Sequence, residues 1–298
     1  MRAAIESRAF RLKLPCAGAV ELVAGRPKLL GVVNITPDSF SDGGRYLEPR
    51  RAVEHALALV GEGADLLDLG AESTRPGGGV YGGGARDVPA DEELARLLPV
   101  LERLRPRTRT PISVDTRKAA VARAALAAGA DLINDVSALG DPEMAAVVAD
   151  AGCPIVLMHS RGELATMQST IAFRDVVAEV RAELERARAR AERCGIARDA
   201  ILLDPGLGFG KSAEQNLRLL AATAELAALG SPLVVGASRK SFVGQTTGAA
   251  VGDRLPGSLA AAAAAARGGA ALLRVHDVAA TRQFLAVLDA IDGSGESR

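Results

Sequence analysis

The amino-acid sequence predicts a single-domain α/β fold, a (β/α)8 TIM barrel, because eight short apolar runs alternate with eight helical segments. Continuous apolar runs are typical of parallel strands, since both faces of such strands are buried. Nearly every run ends in polar residues, and active sites of this fold lie at the carboxyl ends of its strands. The runs and the polar residues that follow them are 29–33 with Asn34, 66–67 with Asp68 and Glu72, 112–114 with Asp115, 132–133 with Asn134 and Asp135, 155–158 with His159, 201–203 with Asp204, 233–236 with Ser238, Arg239 and Lys240, and 272–273 with Arg274 and His276.

Helical segments follow these strands in turn, as parallel neighbours require, because each pair of such strands needs a crossover connection. The segments are 48–61, 90–104, 117–128, 142–149, 168–193, 213–229, 256–267 and 278–290. A loose alternation in Phe10, Leu12 and Leu14 predicts a short N-terminal hairpin that plugs the lower end of the barrel. The predicted organisation is therefore a hairpin at 1–28, one barrel at 29–292 and a disordered tail at 293–298.

Composition and charge limit the kinds of partner and the cellular compartment that are expected for this protein. The chain has 298 residues, 48% of them hydrophobic, which is enough for one large core. Its 36 basic and 36 acidic side chains cancel, which argues against nucleic acid or an anionic membrane as the main partner. No apolar stretch reaches the length of a membrane span, so no membrane association is expected. Three widely spaced cysteines favour a reducing compartment, and we expect a cytoplasmic protein.

Two glycine-rich segments interrupt the helical pattern. Residues 76–85 follow the second strand, and the next helix starts only past Pro89, so a mobile active-site loop or a flexible insertion is favoured over a phosphate-cradling loop. Residues 204–211 follow the sixth strand directly. Their glycines let the backbone approach a flat ligand closely, and Phe209 offers it an apolar face.

Four polar residues are expected to converge at the barrel mouth: Asp115, Asn134, Asp204 and Lys240. Such a set could bind a metal, carry out acid–base chemistry or recognise a polar heterocycle. Metal chelation is disfavoured, because lysine is a poor ligand and histidines are scarce. A heterocycle with a cyclic guanidine edge fits better, since one carboxylate accepts from two adjacent N–H donors.

A second group favours an anion. Asn34, Arg274 and His276 end the first and eighth strands, which are neighbours in a closed barrel. Arginine binds phosphate through two hydrogen bonds, and histidine adds a further donor. His55 is expected to be structural, whereas His159 could either face the pocket or pack within the fold.

Seven motifs occur in order along the chain: 30–44 (LGVVNITPDSFSDGG), 65–77 (DLLDLGAESTRPG), 113–116 (SVDT), 133–135 (IND), 204–211 (DPGLGFGK), 238–241 (SRKS) and 274–277 (RVHD). Together they resemble the hallmark segments of the dihydropteroate synthase family and span nearly the whole predicted barrel. Two features depart from the family pattern, a longer second loop at 77–84 and the serine at position 160. Neither carries an implied role.

The resemblance implies a reaction in which 4-aminobenzoate displaces diphosphate from (7,8-dihydropterin-6-yl)methyl diphosphate. It also implies Mg²⁺ as cofactor, mobile loops over the site and a homodimer. By motif, Asp115, Lys240, Arg274 and His276 would be catalytic. The implied binding residues are Asp115, Asn134, Met158, Asp204 and Lys240 for the pterin; Asn34, Arg274 and His276 for the diphosphate, with Asn34 also a magnesium ligand; Thr74, Arg75, Pro76, Phe209, Lys240 and Ser241 for 4-aminobenzoate; and Asp38, Phe40 and Ser41 on the closing loop.

Two alternatives remain at this stage. A related barrel that transfers a methyl group from a folate to a corrinoid protein would share the pterin-binding carboxylates, but it has no use for Lys240 or Arg274. A non-catalytic paralogue that binds a pterin would be expected to lack Asp115, Lys240 or Arg274, and all three are present.

Overall fold

Eight parallel strands form the barrel in a computed structural model that describes residues 8–35, 48–72, 88–162, 167 and 172–294. The order of paired strands is β8-β7-β6-β5-β4-β3-β10-β9. The barrel closes between β8 and β9 through one parallel bridge, Leu203 to Leu233. A separate antiparallel pair, β1 with β2, precedes it. The strands are β1 Ala9–Leu14, β2 Gly18–Val23, β3 Lys28–Asn34, β4 Leu66–Gly70, β5 Ile112–Asp115, β6 Leu132–Asp135, β7 Ile155–Met158, β8 Ile201–Asp204, β9 Val234–Val235 and β10 Leu272–Val275. The predicted TIM barrel and N-terminal hairpin are therefore confirmed.

Helices connect successive strands and surround the barrel. They are α1 Glu48–Gly61, α2 Ala90–Leu104, α3 Ala119–Ala127, α4 Met144–Ala151, α5 Val176–Arg193, α6 Ala213–Ala221, α7 Thr223–Ala227, α8 Ser241–Thr247, α9 Leu255–Arg267 and α10 Val278–Ser294. No helix within these described ranges is long and apolar enough to cross a bilayer.

Four differences from the predicted helices are larger than a shift of two residues. Helix α5 begins at Val176, because Asp175 caps it by accepting from the amides of Val177 and Ala178; residues 168–171 lie outside the described part. The segment predicted as one helix at 213–229 breaks at Ala222 into α6 and α7. Helix α8 was not predicted, and α10 runs on to Ser294, two residues into the predicted tail.

The hairpin covers the amino-terminal end of the barrel. Its buried leucines pack against one inward-facing layer that seven barrel strands contribute to, comprising Leu30, Leu66, Leu132, Val156, Leu202, Val234 and Leu272. Asp131 fixes the hairpin turn, since one of its oxygens accepts from the backbone amides of Cys16 (3.0 Å) and Ala17 (2.8 Å). This end of the barrel is thereby filled with apolar side chains.

The alternation of side chains along each strand positions the opposite end. In β4, Leu66 belongs to the inner layer while Leu67 and Leu69 belong to the outer core beneath the helices. Asp68, two residues beyond Leu66, therefore faces the barrel interior. The same step of two leads from Leu132 to Asn134. The barrel interior therefore has an apolar layer near the amino-terminal end and a polar layer near the carboxyl ends of the strands.

Candidate active site

The polar layer holds five inward-facing residues at the carboxyl ends of neighbouring strands. They are Asp68 of β4, Asp115 of β5, Asn134 of β6, Asp204 of β8 and Arg274 of β10. The three aspartates and the asparagine are buried. Backbone register places two of them directly side by side, since Asp115 pairs with Asn134 across β5 and β6. The predicted convergence of Asp115, Asn134 and Asp204 is what the parallel register produces.

Arg274 lies between two carboxylates. Its Nε donates to Asp68 Oδ2 at 2.6 Å, and its Nη2 donates to Asp115 Oδ2 at 2.9 Å. The Asn134 amide nitrogen donates to the same Asp68 oxygen at 3.2 Å. Asp68 is thus a central member of the site. Its position after the second apolar run does not reveal this role, because its partner lies 206 residues away in the sequence.

Burial changes the acidity of this cluster. Removal from water raises the pKa of Asp115 to about 7, and Asp68 adds to the rise while Arg274 opposes it. Burial works against the charge of Arg274, but Asp68 and Asp115 outweigh it and raise the arginine pKa. Within the described part of the chain, Asp68 Oδ1 and Asp115 Oδ1 are buried and accept no hydrogen bond. A ligand that brings N–H donors to these atoms would remove a desolvation penalty.

The glycine-rich segment 204–211, which follows β8, forms one side of the site, and we call it the wall. Asp204 Oδ1 accepts from the Gly206 amide at 2.7 Å, and burial raises the pKa of Asp204. Gly206 has a left-handed backbone with φ of 64°, and a side chain there would overlap the carbonyl oxygen of His159. Only glycine fits at this position, so the segment folds back onto the end of β7.

Lys240 reaches across to this wall. Its ammonium donates to the carbonyl oxygen of Leu207 and lies 4.9 Å from the centre of the Phe209 ring. Burial lowers the pKa of Lys240 to about 8, against the attraction of Asp204. The structure therefore brings Lys240 and Phe209 together, as the motif resemblance implies for the two residues. Ser241 follows as the first residue of α8.

Two motifs form one unit at the junction of β9 and β10. Ser238 Oγ lies 3.2 Å from the backbone nitrogen of His276 and 3.1 Å from its Nδ1. The next residues also pair, because the Arg239 guanidinium binds Asp277 through Nε at 2.9 Å. Arg239 has a left-handed backbone with φ of 57°. Ser238 had no predicted role, yet it orients the histidine of the expected anion site.

His159 does not face the pocket. It is buried, with Nδ1 3.0 Å from Lys211 Nζ and Nε2 2.9 Å from Glu183 Oε2. Burial lowers the pKa of His159, which favours the neutral ring. The remaining predicted histidine, His55, is exposed on α1. His159 was predicted either to face the pocket or to pack within the fold, and the structure shows that it packs within the fold.

The other predicted residues divide into two sets. Asn34 ends β3 opposite Gly70 of β4, and Met158 ends β7 opposite Asp204. Outside the described residues lie Asp38, Phe40, Ser41, Thr74, Arg75, Pro76 and the long loop at 77–84. Glu72 marks the start of that second loop and accepts from the Val88 amide at 3.1 Å on its far side. The base of the loop is thus closed by one carboxylate.

The donor set allows only a sparse metal site. The described residues contain no cluster of three or more His, Cys, Asp or Glu side chains suited to a metal ion. The Asn34 amide oxygen is a hard ligand of the kind that Mg²⁺ takes, and Mg²⁺ usually fills its remaining positions with water and substrate phosphates. Asn34 therefore fits as one protein ligand to a metal held mainly by a phosphorylated substrate.

Comparisons with known proteins agree with this geometry. A family model described as "Pterin binding enzyme" matches residues 30–276. The dihydropteroate synthase of Escherichia coli K12 is 42% identical over 282 residues, which covers 95% of this chain and 98% of that protein. The chain belongs to the dihydropteroate synthase family of pterin-binding enzymes.

Solved structures of the dihydropteroate synthase family share the fold at high coverage. The Xanthomonas albilineans dihydropteroate synthase with 4-aminobenzoic acid is 49% identical, with a TM-score of 0.87 over 96% of this chain and 99% of that chain. The same enzyme in complex with 7,8-dihydropteroate is 46% identical, with a TM-score of 0.82 over 95% of this chain and 98% of that chain. The family resemblance drawn from the seven motifs is thus confirmed.

Proposed function

We propose that this chain is a dihydropteroate synthase of folate biosynthesis. It condenses (7,8-dihydropterin-6-yl)methyl diphosphate with 4-aminobenzoate to give 7,8-dihydropteroate and diphosphate. One observation carries the assignment: the family's polar set is intact in a single buried layer, with Arg274 bridging Asp68 and Asp115. A non-catalytic paralogue would have no need for that cation beside the carboxylates.

The pterin is assigned to the polar layer. A pterin presents adjacent N–H donors and a ring carbonyl, which match the carboxylates of Asp115 and Asp204, the Asn134 amide and the Lys240 ammonium. The unsatisfied Asp115 Oδ1 supports this placement. Met158, buried at the end of β7, supplies an apolar contact to the ring.

The diphosphate is assigned to the junction of β3 and β10, with Asn34, Arg274 and His276 as its ligands. Arg274 and His276 offer N–H donors to the phosphate oxygens, and Ser238 holds the histidine ring in place. Asn34 would hold a Mg²⁺ ion, whose chemistry there would be to neutralise charge on the leaving group. In this proposal Arg274 and His276 supply donors where negative charge develops.

The chemistry favours a dissociative path. The bond between the methylene carbon and the diphosphate oxygen breaks first, and its electron pair leaves with the diphosphate. The resulting pterin-methyl cation is delocalised over the ring, and the Asp115 carboxylate stabilises it. The aminobenzoate nitrogen then forms the new C–N bond and releases a proton, so no strong base is needed beforehand.

The aminobenzoate is assigned to the wall built by Phe209, Lys240 and Ser241, together with Thr74, Arg75 and Pro76 of the second loop. The cation–aromatic contact between Lys240 and Phe209 supports this side of the pocket. Asp38, Phe40 and Ser41 of the first loop close over it. Closure excludes water, which would otherwise capture the cation. We further propose a cytoplasmic homodimer.

A coupled assay for diphosphate release tests the function directly. We expect release only when both the pterin diphosphate and 4-aminobenzoate are supplied with Mg²⁺. Pterin binding without turnover would instead indicate the non-catalytic paralogue. Methyl transfer from a methylated folate, with no diphosphate release, would indicate the corrinoid-linked barrel.

A further inference from the structure

A buried lysine lies beneath the glycine-rich wall. Lys211 is 3% exposed. Its Nζ lies 2.9 Å from the carbonyl oxygens of both Gly206 and Phe209, and 3.0 Å from His159 Nδ1. In its ammonium form the lysine has three hydrogens, which suffice for these three acceptors, and burial lowers its pKa to about 7. Lys211 therefore connects two carbonyl groups of the wall to His159, which follows β7.

The lysine is held in turn by a polar chain that reaches α5. Because His159 Nδ1 accepts from Lys211, the neutral ring carries its hydrogen on Nε2 and donates to Glu183 at 2.9 Å. The hydrogen bond from His159 lowers the pKa of Glu183 to about 2, so the carboxylate is ionised. Arg161 also donates to Glu183 and bonds the Ala172 carbonyl at 2.6 Å. The chain thus anchors the wall to a helix on the outside of the barrel.

The wall lies close against the backbone that follows β7. Side chains at Gly206 and Gly210 would press on the carbonyl oxygens of His159 and Arg161, with a Cβ at Gly210 only 2.8 Å away. Backbone therefore lies directly on backbone there, and Lys211 bonds the Gly206 carbonyl beside one of these contacts. The wall carries the Leu207 carbonyl and the Phe209 ring, which are the two groups that contact the Lys240 ammonium.

We propose that Lys211 is a positioning residue for the aminobenzoate side of the site, acting through the wall on Phe209 and Lys240. His159 and Glu183 hold the lysine side chain in this position. The inference rests on the proposed function, since it concerns how one substrate of that reaction is held. Lys211 itself touches neither substrate, so its loss changes recognition rather than removing a reacting group.

Lys211→Met tests the proposal, because it keeps the length of the side chain and removes all three donors. We expect the KM for 4-aminobenzoate to rise about tenfold, in line with loss of hydrogen bonds from a charged donor, while the KM for the pterin diphosphate changes less than about threefold. Leu22→Ala is the matched control, since Leu22 is fully buried in the hairpin at the opposite end. It should lower the melting temperature and leave both KM values unchanged.

An unchanged aminobenzoate KM in Lys211→Met would overturn the proposal, and so would equal losses for both substrates. A wild-type chain that releases no diphosphate would instead contradict the proposed function, so the two failures are distinguishable. Hydrogen exchange adds a readout without activity. We expect faster exchange of the 206–211 amides in Lys211→Met than in Leu22→Ala, and equal exchange would also count against the tether.

Two substitutions of His159 keep the test decisive if Lys211→Met does not fold. His159→Asn retains an acceptor near the position of Nδ1, whereas His159→Leu removes it. We expect the leucine variant to raise the aminobenzoate KM in the same direction as Lys211→Met, and the asparagine variant to restore most of it. Identical KM values in the two variants would overturn the proposed chain of contacts.

Discussion

Ser238 binds His276 twice, with its hydroxyl oxygen 3.2 Å from the backbone nitrogen and 3.1 Å from Nδ1. One hydroxyl therefore sets both the position and the rotation of the imidazole. The two residues lie 38 positions apart, in the motifs that follow β9 and β10. These motifs act as one structural unit, in which Ser238 of the first motif orients His276 of the second.

Ser238→Ala should weaken diphosphate binding. The variant removes the Ser238 contact to the imidazole, and the loss of one neutral hydrogen bond corresponds to about a fivefold rise in the KM for the pterin diphosphate. Steady-state kinetics with the pterin substrate varied will measure it. Ser231→Ala is the control, because the Ser231 hydroxyl is buried without a hydrogen-bond partner among the described residues. A KM equal to that of the control would contradict the role of Ser238.

Asp115→Asn separates charge stabilisation from positioning. The amide keeps the size and one acceptor, but it removes the negative charge that would face a developing cation. We expect turnover to fall about 10²–10³-fold, with a much smaller loss of pterin affinity. Single-turnover diphosphate release, compared with a direct binding titration, will show the split. Equal losses in both measurements would make Asp115 a ground-state contact only.

Lys240→Ala should weaken the binding of both substrates. Its ammonium donates to the Leu207 carbonyl, lies near the Phe209 ring and is attracted by the buried Asp204 carboxylate. We expect each KM to rise about tenfold, as for loss of a charged hydrogen-bond donor. Lys28→Ala offers a control of the same residue type, since Lys28 binds Asp65 where β3 begins. An unchanged KM for either substrate would contradict the shared placement.

Binding should be ordered. If the pterin diphosphate and Mg²⁺ order the first loop, 4-aminobenzoate will bind poorly to the free enzyme and well once pterin and diphosphate are present. Isothermal titration of 4-aminobenzoate in both states measures the coupling. Equal affinities would show that the loop contributes nothing to this site.

The stability of the fold should respond to pH through Asp115. Because burial raises its pKa to about 7 from 3.8, the folded state binds the proton more tightly, and the associated stability is lost as pH rises through 7. Asp115→Asn does not titrate, so its free energy of unfolding relative to wild type should increase by about 1 kcal/mol or more from pH 5 to pH 8. Urea denaturation at the two values tests this.

Asp65→Asn is the matched control for that experiment. Burial opposes ionisation of Asp65, but hydrogen bonds from the Leu29 amide and Arg282 prevail and lower its pKa. Its stabilisation is therefore present above about pH 4 and lost only at lower pH. The difference from wild type should stay flat between pH 5 and pH 8. A parallel pH response of the two variants would refute the assignment to Asp115.

Most of the barrel can be predicted from the sequence, because burial on both faces forces each strand into an apolar run. The residues that follow those runs, such as Asn134 and Asp204, converge for the same reason. Helix α8 escaped because its glycine, phenylalanine, valine and threonines are weak helix formers. Its Gly244 leaves room for the buried Arg254 guanidinium, a tertiary requirement that no local pattern contains.

The roles of individual site residues were harder to predict where partners are distant in the sequence. Asp68 is polar within a buried strand, which marks it as unusual, but only the folded chain brings it 2.6 Å from Arg274. His159 shows the opposite case. It lies one position beyond Met158, so the alternation that turns Val156 inward turns His159 outward, toward Lys211 and Glu183. Position at a strand end predicts proximity to the site, whereas orientation also requires the inward and outward faces of the strand to be known, and a buried run that is apolar on both faces does not reveal them.

The apolar layer beneath the hairpin also has a consequence for how the protein folds. Leu12 and Leu22 pack against a cluster that includes Leu272 of the last strand. The hairpin forms from local contacts, but it is covered only after the far end of the chain has been synthesised. Such long-range closure slows folding. During translation, the hairpin will therefore expose leucines until the last strand has been made, and a chaperone that protects them should raise the yield of folded enzyme.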